Sequence, residues 1–324
     1  MLTAIQLLEK VNVYLSEFPF SRDPRGLYDP VKYVLSMGGK RIRPVLMLMA
    51  YNMYKEDVEK IFPQATGIET YHNYTLLHDD LMDRADMRRN CVTVHKKWDD
   101  NTAILSGDAM LVLAYQFMID SDSECLKDIL SLFSRTALEI CEGQQFDMEF
   151  ESRMDVTEAE YIEMIRLKTA VLLAASLKIG AQLGGATQKD AQLLYDFGIQ
   201  MGLAFQLKDD LLDVYGDPAI FGKNIGGDIL CNKKTYLLIK SLQNSNKVQK
   251  AELEKWLSCK EPDPELKISG VRKVYDEIGV RQICETKMNE YYNKGNQFLS
   301  EVGLPDNKKL LIREFAEELM YRNL

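Results

Sequence analysis

Residues 61–84 read IFPQATGIETYHNYTLLHDDLMDR, and residues 189–214 read KDAQLLYDFGIQMGLAFQLKDDLLDV. In both, apolar residues recur three and four apart, the period of a helix and not of a strand. Both close on one pattern: His78-Asp79-Asp80-Leu81-Met82-Asp83 and Lys208-Asp209-Asp210-Leu211-Leu212-Asp213. Residues four apart on a helix lie about 40° apart around its axis, one above the other. Asp79 and Asp83 therefore share a stripe that His72 and Leu76 extend backwards. Gly202, Gln206, Asp209 and Asp213 form its counterpart. One such pattern in a charged chain reads as a solvated acidic face. Two copies, each after strongly apolar turns, point to carboxylates gathered for a metal, because buried carboxylates are costly unless paired or ligating. Hard oxygen ligands suit Mg2+, which commonly completes its shell with substrate phosphate. Two such clusters would let several Mg2+ ions clamp one diphosphate.

The helical period extends over the whole chain. Helices are expected over Leu2–Glu17, Asp29–Leu35, Arg43–Tyr54, Ile61–Arg84, Ala103–Ile119, Glu124–Phe150, Thr157–Leu183 and Lys189–Val214. Beyond these come Lys233–Leu242, Lys247–Leu257, Glu265–Ile278, Gly279–Ser300 and Lys308–Tyr321. Breaks fall at Gly38-Gly39, Arg88–Thr93, Ser106-Gly107, Gly184-Gly185, Gly216–Asp228 and the polar loop Cys259–Pro264. With no linker or low-complexity tract, residues 1–324 read as one all-α domain, a single large helical bundle around a central cavity.

Basic residues number 40 and acidic ones 49, a formal charge of −9, which disfavours nucleic acid or an anionic membrane as a bulk partner. The six cysteines are dispersed without a CxxC pair, which reads as free thiols in a reducing compartment. Glu9, Lys10 and Glu17 interrupt the apolar N-terminus, so an amphipathic helix is expected there and not a signal peptide. No apolar run approaches the ~20 residues needed to cross a bilayer. A cytoplasmic protein without stable membrane insertion is expected.

Against this acidic balance, local basic clusters carry information. Lys40, Arg41 and Arg43 follow a Gly-Gly hinge, and Arg88-Arg89 follow the first aspartate pattern. Arg41, Lys96 and Lys97 read as ordinary surface charge, and His78 and His95 carry no functional expectation. Gly216–Asn224 superficially matches a phosphate-binding loop. It has one residue too many between its glycines, Asn in place of Ser or Thr, and no preceding strand, so an ATPase is rejected.

In motif order the chain resembles the trans-prenyltransferases, the polyprenyl diphosphate synthases of the farnesyl and geranylgeranyl type. The resemblance rests on Gly38-Gly39-Lys40-Arg41-Ile42-Arg43-Pro44, His72 ahead of Asp79–Asp83, Arg88-Arg89, Lys168-Thr169, Phe205–Asp213, Gly222-Lys223, Asp228 and Lys233. It implies the type I isoprenoid synthase fold, a homodimer, and condensation of isopentenyl diphosphate with an allylic diphosphate. Asp79, Asp83, Asp209 and Asp213 would serve Mg2+, three ions per site, with Asp213, like Asp80 and Asp210, able to act through waters or lysines. Lys40, Arg43, His72 and Arg89 would hold the isopentenyl diphosphate. Arg88, Lys168 and Lys223 would hold the allylic diphosphate, with Lys233 nearby. Thr169, Gln206 and the Lys168 carbonyl would turn oxygen dipoles towards the allylic cation, and no Ser, Cys or His nucleophile is needed.

The hydrocarbon would run down the first aspartate helix towards its N-terminus. Thr75 leaves room, while Tyr74 and Tyr71 lie about 7.5 and 12 Å below Asp79. One aromatic five before the motif, with a small Thr75, resembles geranylgeranyl (C20) more than farnesyl (C15) synthases. A class I terpene cyclase would carry an Asn/Asp–Ser/Thr–Glu motif in the second helix, where Asp209–Asp213 stands. A non-catalytic subunit or a helical scaffold could dispense with the ligands and anchors retained here.

Overall fold

A computed structural model describes residues 1–121, 124–216, 225–259, 261 and 263–321. The N-terminal helices are α1 (Ala4–Glu17), α2 (Arg25–Ser36), α3 (Ile42–Asn52), α4 (Phe62–Met82), the single turn α5 (Val94–Lys97), α6 (Asp100–Ile119) and α7 (Leu126–Glu151). Then follow α8 (Glu158–Ile165), α9 (Val171–Gly184) and α10 (Gln188–Tyr215). After residues outside the described set come α11 (Gly227–Leu230), α12 (Tyr236–Asn244), α13 (Lys247–Ser258), α14 (Pro264–Ile278), α15 (Val280–Glu301) and α16 (Asp306–Tyr321). The all-α class holds. The extended backbone among the described residues is a hairpin, β1 (Met87–Arg88) against β2 (Cys91–Val92). Its two turn residues, Arg89 (φ 52°) and Asn90 (φ 60°), are both left-handed, the pattern of a tight type I′ turn.

Contacts divide the chain into two compact units. The first joins Met1–Ser134, Ala175–Tyr195 and Val302–Ile312; the second joins Arg135–Ala174, Asp196–Glu301 and Arg313–Leu324. In the first, α4 and α6 pack closely because glycines let them. A Cβ on Gly107 would lie 2.1 Å from Nε2 of His78, and one on Gly67 would lie 3.0 Å from the Ala114 carbonyl oxygen. The break expected at Ser106-Gly107 is therefore the middle of α6: the glycine serves packing and not a turn. By length and composition alone α6 is long and apolar enough to cross a membrane, a test that the core helix of a folded protein also passes. Its Met110, Ala114 and Met118 are fully buried in this unit, while Ile104, Leu105, Val112 and Ile119 are exposed.

In the second unit the long helix expected over Thr157–Leu183 is interrupted. Residues Arg166–Ala170 form a π-turn between α8 and α9, where the Val171 N–H donates to the Arg166 carbonyl five residues back. Two glycines grip this turn. A Cβ on Gly143 of α7 would stand 2.5 Å from the Lys168 backbone nitrogen, and one on Gly202 of α10 would stand 2.5 Å from the Ala170 Cα.

Candidate functional site

In the first unit, α4 delivers His72, Asp79 and Asp80, and its C-cap is Asp83. A helix gathers partial negative charge at its C-terminus, so carboxylates there are repelled unless a cation meets them. Asp80 is buried and gripped by Arg88 of the hairpin. The guanidinium Nε lies 2.8 Å from each carboxylate oxygen, and Nη2 lies 2.7 Å from Oδ1. Burial pushes the Asp80 carboxyl up to about 6 against the pull of Arg88, with Asp79 and Asp83 adding to the rise. Asp79 is half-buried, 3.7 Å from Arg88, and Asp83 is exposed.

Beside them stands a cluster of arginines. Arg43 Nη1 meets His72 Nε2 at 3.1 Å. Arginine has no acceptor, so Nε2 accepts and the imidazole is neutral, with its proton on Nδ1. Burial, then Arg43, Arg89, Arg88 and Arg41, hold the His72 pKa well below its ordinary value. Arg89 reaches from the left-handed turn to donate to the Gly38 carbonyl and, at 3.3 Å, to Asn73. Gly39 lies against that guanidinium: a Cβ there would come 2.7 Å from Cζ of Arg89. The Gly-Gly pair thus lets the loop close over an arginine.

Arg41 is not surface charge. It sits at φ 47° with its side chain 3% exposed, donating to Glu69 at 2.5 Å and to the Leu35 carbonyl at 2.6 Å. Glu69 also accepts from Asn73 at 2.8 Å. Burial demanded a counter-charge for Arg41, and Glu69, hidden in an apolar helix turn, provides it. Lys96 and Lys97 are exposed as expected, paired with Asp86 and lying over the Tyr33 ring. Lys40 is exposed.

Below the aspartates, Tyr71 is buried between Tyr74 (ring centroids 5.5 Å apart) and Phe133 (5.2 Å). Tyr74 also meets His78 at 4.8 Å. The Thr75 hydroxyl donates to the His72 carbonyl at 2.8 Å, so it is engaged by its own helix.

The second unit holds a cavity of about 140 Å³ lined by Asp147, Tyr161, Lys168, Gln206, Asp210 and Lys233, among others. Lys168 and Thr169 belong to the π-turn. Lys168 Nζ lies 2.6 Å from Asp147, and Lys233 Nζ lies 3.7 Å from the same oxygen. Burial raises the Asp147 pKa, but the two ammonium groups outweigh it and hold the carboxyl below its usual value. The Thr169 hydroxyl donates to the Gln206 side-chain oxygen at 3.0 Å, and the Gln206 amide donates to Asp210 at 3.2 Å. Tyr161 donates to the other oxygen of Asp210. Burial, with Asp228 nearby, holds Asp210 well above the ordinary carboxylate range, although both hydrogen bonds pull the other way. Asp209 and Asp213 are half-buried, and Asp213 accepts the Asp228 N–H at 3.0 Å. Lys223 lies outside the described residues.

Sequence reasoning missed Asp147, Tyr161, Glu69 and Asn73. For Asp147 a signal exists: it follows Gly143 by one turn in α7, a small residue and a carboxylate on one face. Tyr161 carries none, because its partner is 49 residues away. Among the described residues no three His, Cys, Asp or Glu side chains are gathered as a metal site. A motif contributing two outer carboxylates fits Mg2+, which keeps waters and takes phosphate oxygens in place of an all-protein cage.

A family profile described as polyprenyl synthetase matches residues 24–278. Geranylgeranyl pyrophosphate synthase of Geoglobus acetivorans is 37% identical over 315 residues, covering 97% of this chain and 96% of its own. A crystal structure of a geranylgeranyl pyrophosphate synthase superposes with a TM-score of 0.94 at 43% identity, over 99% of both chains. Geranylgeranyl pyrophosphate synthase of Corynebacterium glutamicum, solved with isoprenyl diphosphate and magnesium, gives 0.84 at 27% identity, over 99% of this chain and 96% of its own.

Proposed function

The chain belongs to the polyprenyl synthetase family, and we propose that it joins isopentenyl diphosphate to an allylic diphosphate and stops at geranylgeranyl diphosphate. The observation that carries this reading is common to both aspartate motifs. Each lies in the last turns of a long helix, the middle carboxylate buried and hydrogen-bonded, the outer two more accessible. Such an arrangement places negative charge where the helix dipole already opposes it, and a bound cation relieves both.

Asp79, Asp83, Asp209 and Asp213 would hold magnesium, three ions in all. When bound, magnesium supplies the positive charge that makes diphosphate a competent leaving group. Lys168, Lys233, Arg88 and Lys223 would bind the same diphosphate and stabilise it as the carbon–oxygen bond breaks. The Thr169 hydroxyl fixes the amide of Gln206, and their oxygens, with the Lys168 carbonyl, would face the allylic carbon as it becomes positive. Lys40, Arg43, His72 and Arg89 would orient isopentenyl diphosphate, whose double bond attacks that carbon. The proton then lost from the new bond's neighbour would pass to the departing diphosphate. Neutral His72 supports this reading, since its Nδ1 proton suits an anionic oxygen while Arg43 occupies Nε2.

The exposed apolar face of α6, with Leu105 61% and Val112 58% accessible, supports assembly as a homodimer through that face. The aromatic layer of Tyr71, Tyr74 and Phe133 supports a floor suited to twenty carbons. The test is incubation with isopentenyl diphosphate and each allylic primer in Mg2+, with products weighed by mass spectrometry. A C20 product is expected, and Tyr71→Ala with Tyr74→Ala should lengthen it. A cyclised hydrocarbon, or no condensation, would overturn the reading.

A further inference from the structure

The turn that follows the second aspartate helix, residues 228–235, separates two cavities of the second unit. One is the 140 Å³ cavity already described; behind it lies one of about 10 Å³, enough for a single water. Asp228, Lys233 and Thr235 line both, whereas Asn232 and Lys267 line only the smaller. The turn is therefore a wall shared by the two cavities, with Lys233 reaching the larger one and Lys267 standing behind it.

Three observations show what holds the wall. Asn232 is left-handed (φ 54°), a conformation a non-glycine residue keeps only where its surroundings fix it. Its side-chain oxygen accepts from Lys267 Nζ at 2.7 Å, and its carbonyl accepts from Lys234 Nζ at 3.0 Å. Lys267, on α14, is 1% exposed; its ammonium also caps the Leu230 carbonyl at the end of α11, at 3.1 Å. Among the described residues neither lysine meets a carboxylate. A buried ammonium satisfied only by carbonyl and amide oxygens is costly, and an apolar residue of the same length would fill the space without that cost. Beside it, Gly226 (φ 85°) rests on Ile268 of α14, where a Cβ would come 2.7 Å from its side chain.

We propose that Lys267 is a positioning residue for the reaction: through Asn232 it fixes the Asp228–Lys233 turn, and with it the ammonium of Lys233 in the diphosphate cavity. The Lys233 N–H closes the turn on the Asp228 carbonyl at 2.9 Å, and the Asp228 N–H holds Asp213. One buried contact therefore sets a cation and an aspartate together. This rests on the assignment of that cavity to the allylic diphosphate.

The experiment compares wild type, Lys267→Met, Asn232→Gly and the double variant. Asn232→Gly keeps the left-handed backbone and removes only the side chain, so it decides the matter should Lys267→Met fail to fold. Michaelis constants for the allylic primer and isopentenyl diphosphate are measured separately, and calorimetry follows inorganic pyrophosphate with Mg2+. Loss of a charged hydrogen bond predicts about a tenfold rise for the primer and a similar loss of pyrophosphate affinity. The constant for isopentenyl diphosphate should stay within about twofold, and the double variant should be no worse than either single one. Equal shifts for both substrates, or a lowered Tm with unchanged constants, would overturn the positioning role. A wild-type enzyme inactive with every primer would instead overturn the function on which it rests.

Discussion

The two aspartate motifs are written almost alike and are held differently. In the first, the buried middle residue, Asp80, faces a guanidinium eight residues away, so its charge is met inside the unit. In the second, Asp210 meets neutral donors, the Tyr161 hydroxyl and the Gln206 amide, and has Asp228 for a neighbour. Asp83 closes its helix in the open, while Asp213 stays within α10 and accepts a backbone N–H. A repeated motif thus reports which carboxylates point outward. It does not report how the inward one is stabilised, and that choice sets the local field: Asp80 is met by a charged partner, Asp210 by neutral hydrogen-bond donors.

The largest expected effect tests what the motifs share. Asp79→Ala and Asp209→Ala should each lower kcat by at least a hundredfold, since one key contact to a leaving group contributes about 3 kcal/mol or more. Steady-state rates at saturating Mg2+ check this, and near-normal turnover in either would end the equivalence of the motifs. Next in size is substrate assignment. His72→Ala should raise KM for isopentenyl diphosphate about tenfold and spare the primer, with Lys233→Ala doing the reverse, as the loss of one charged hydrogen bond predicts. Equal effects on both substrates would erase the partition.

The difference between the motifs is sharpened by stability. Arg88→Met strands a buried carboxylate and should cost about 2 kcal/mol, read by urea denaturation; Tyr161→Phe removes one neutral donor and should cost about 1 kcal/mol. Equal losses would mean that the two carboxylates are held alike. The smallest effect is that of pH. His72 is kept neutral in the folded chain, whereas the unfolded chain protonates it near pH 6.5. The unfolded state then binds more protons, so the contribution of His72 to stability is present above about pH 6.5 and lost as pH falls below it. His72→Gln should flatten that acid limb in a Tm-versus-pH series, and an unchanged slope would show that His72 is charged.

Much of this was legible in the sequence, for physical reasons. The stripe of Asp79, Asp83 and His72 follows from helical geometry alone, as does the helix-rich fold. The chemistry came from the resemblance to the trans-prenyltransferases, carried by the glycine, aspartate and basic motifs taken in order. Arg41 was misread because burial depends on what packs above the loop, and the loop gives no sign of Glu69, 28 residues away. The hairpin escaped notice because its two-residue strands are too short for any alternation. The π-turn escaped because residues 157–183 keep a helical composition throughout, and the glycines that make room for it, Gly143 and Gly202, lie on other helices.

That π-turn makes the chain sensitive to length by a single residue. A π-turn is an α-helix with one residue too many, and each residue rotates a helix by about 100°. Deleting one residue between Arg166 and Ala170 would restore an unbroken α-helix and swing α8 through about a quarter-turn relative to α9. Tyr161 would then leave Asp210, and Lys168 would no longer meet Asp147. The spacing between the tyrosine and the lysine is a phase setting: substitutions can tune its members, but an insertion or deletion there would scramble the support of the second motif at once.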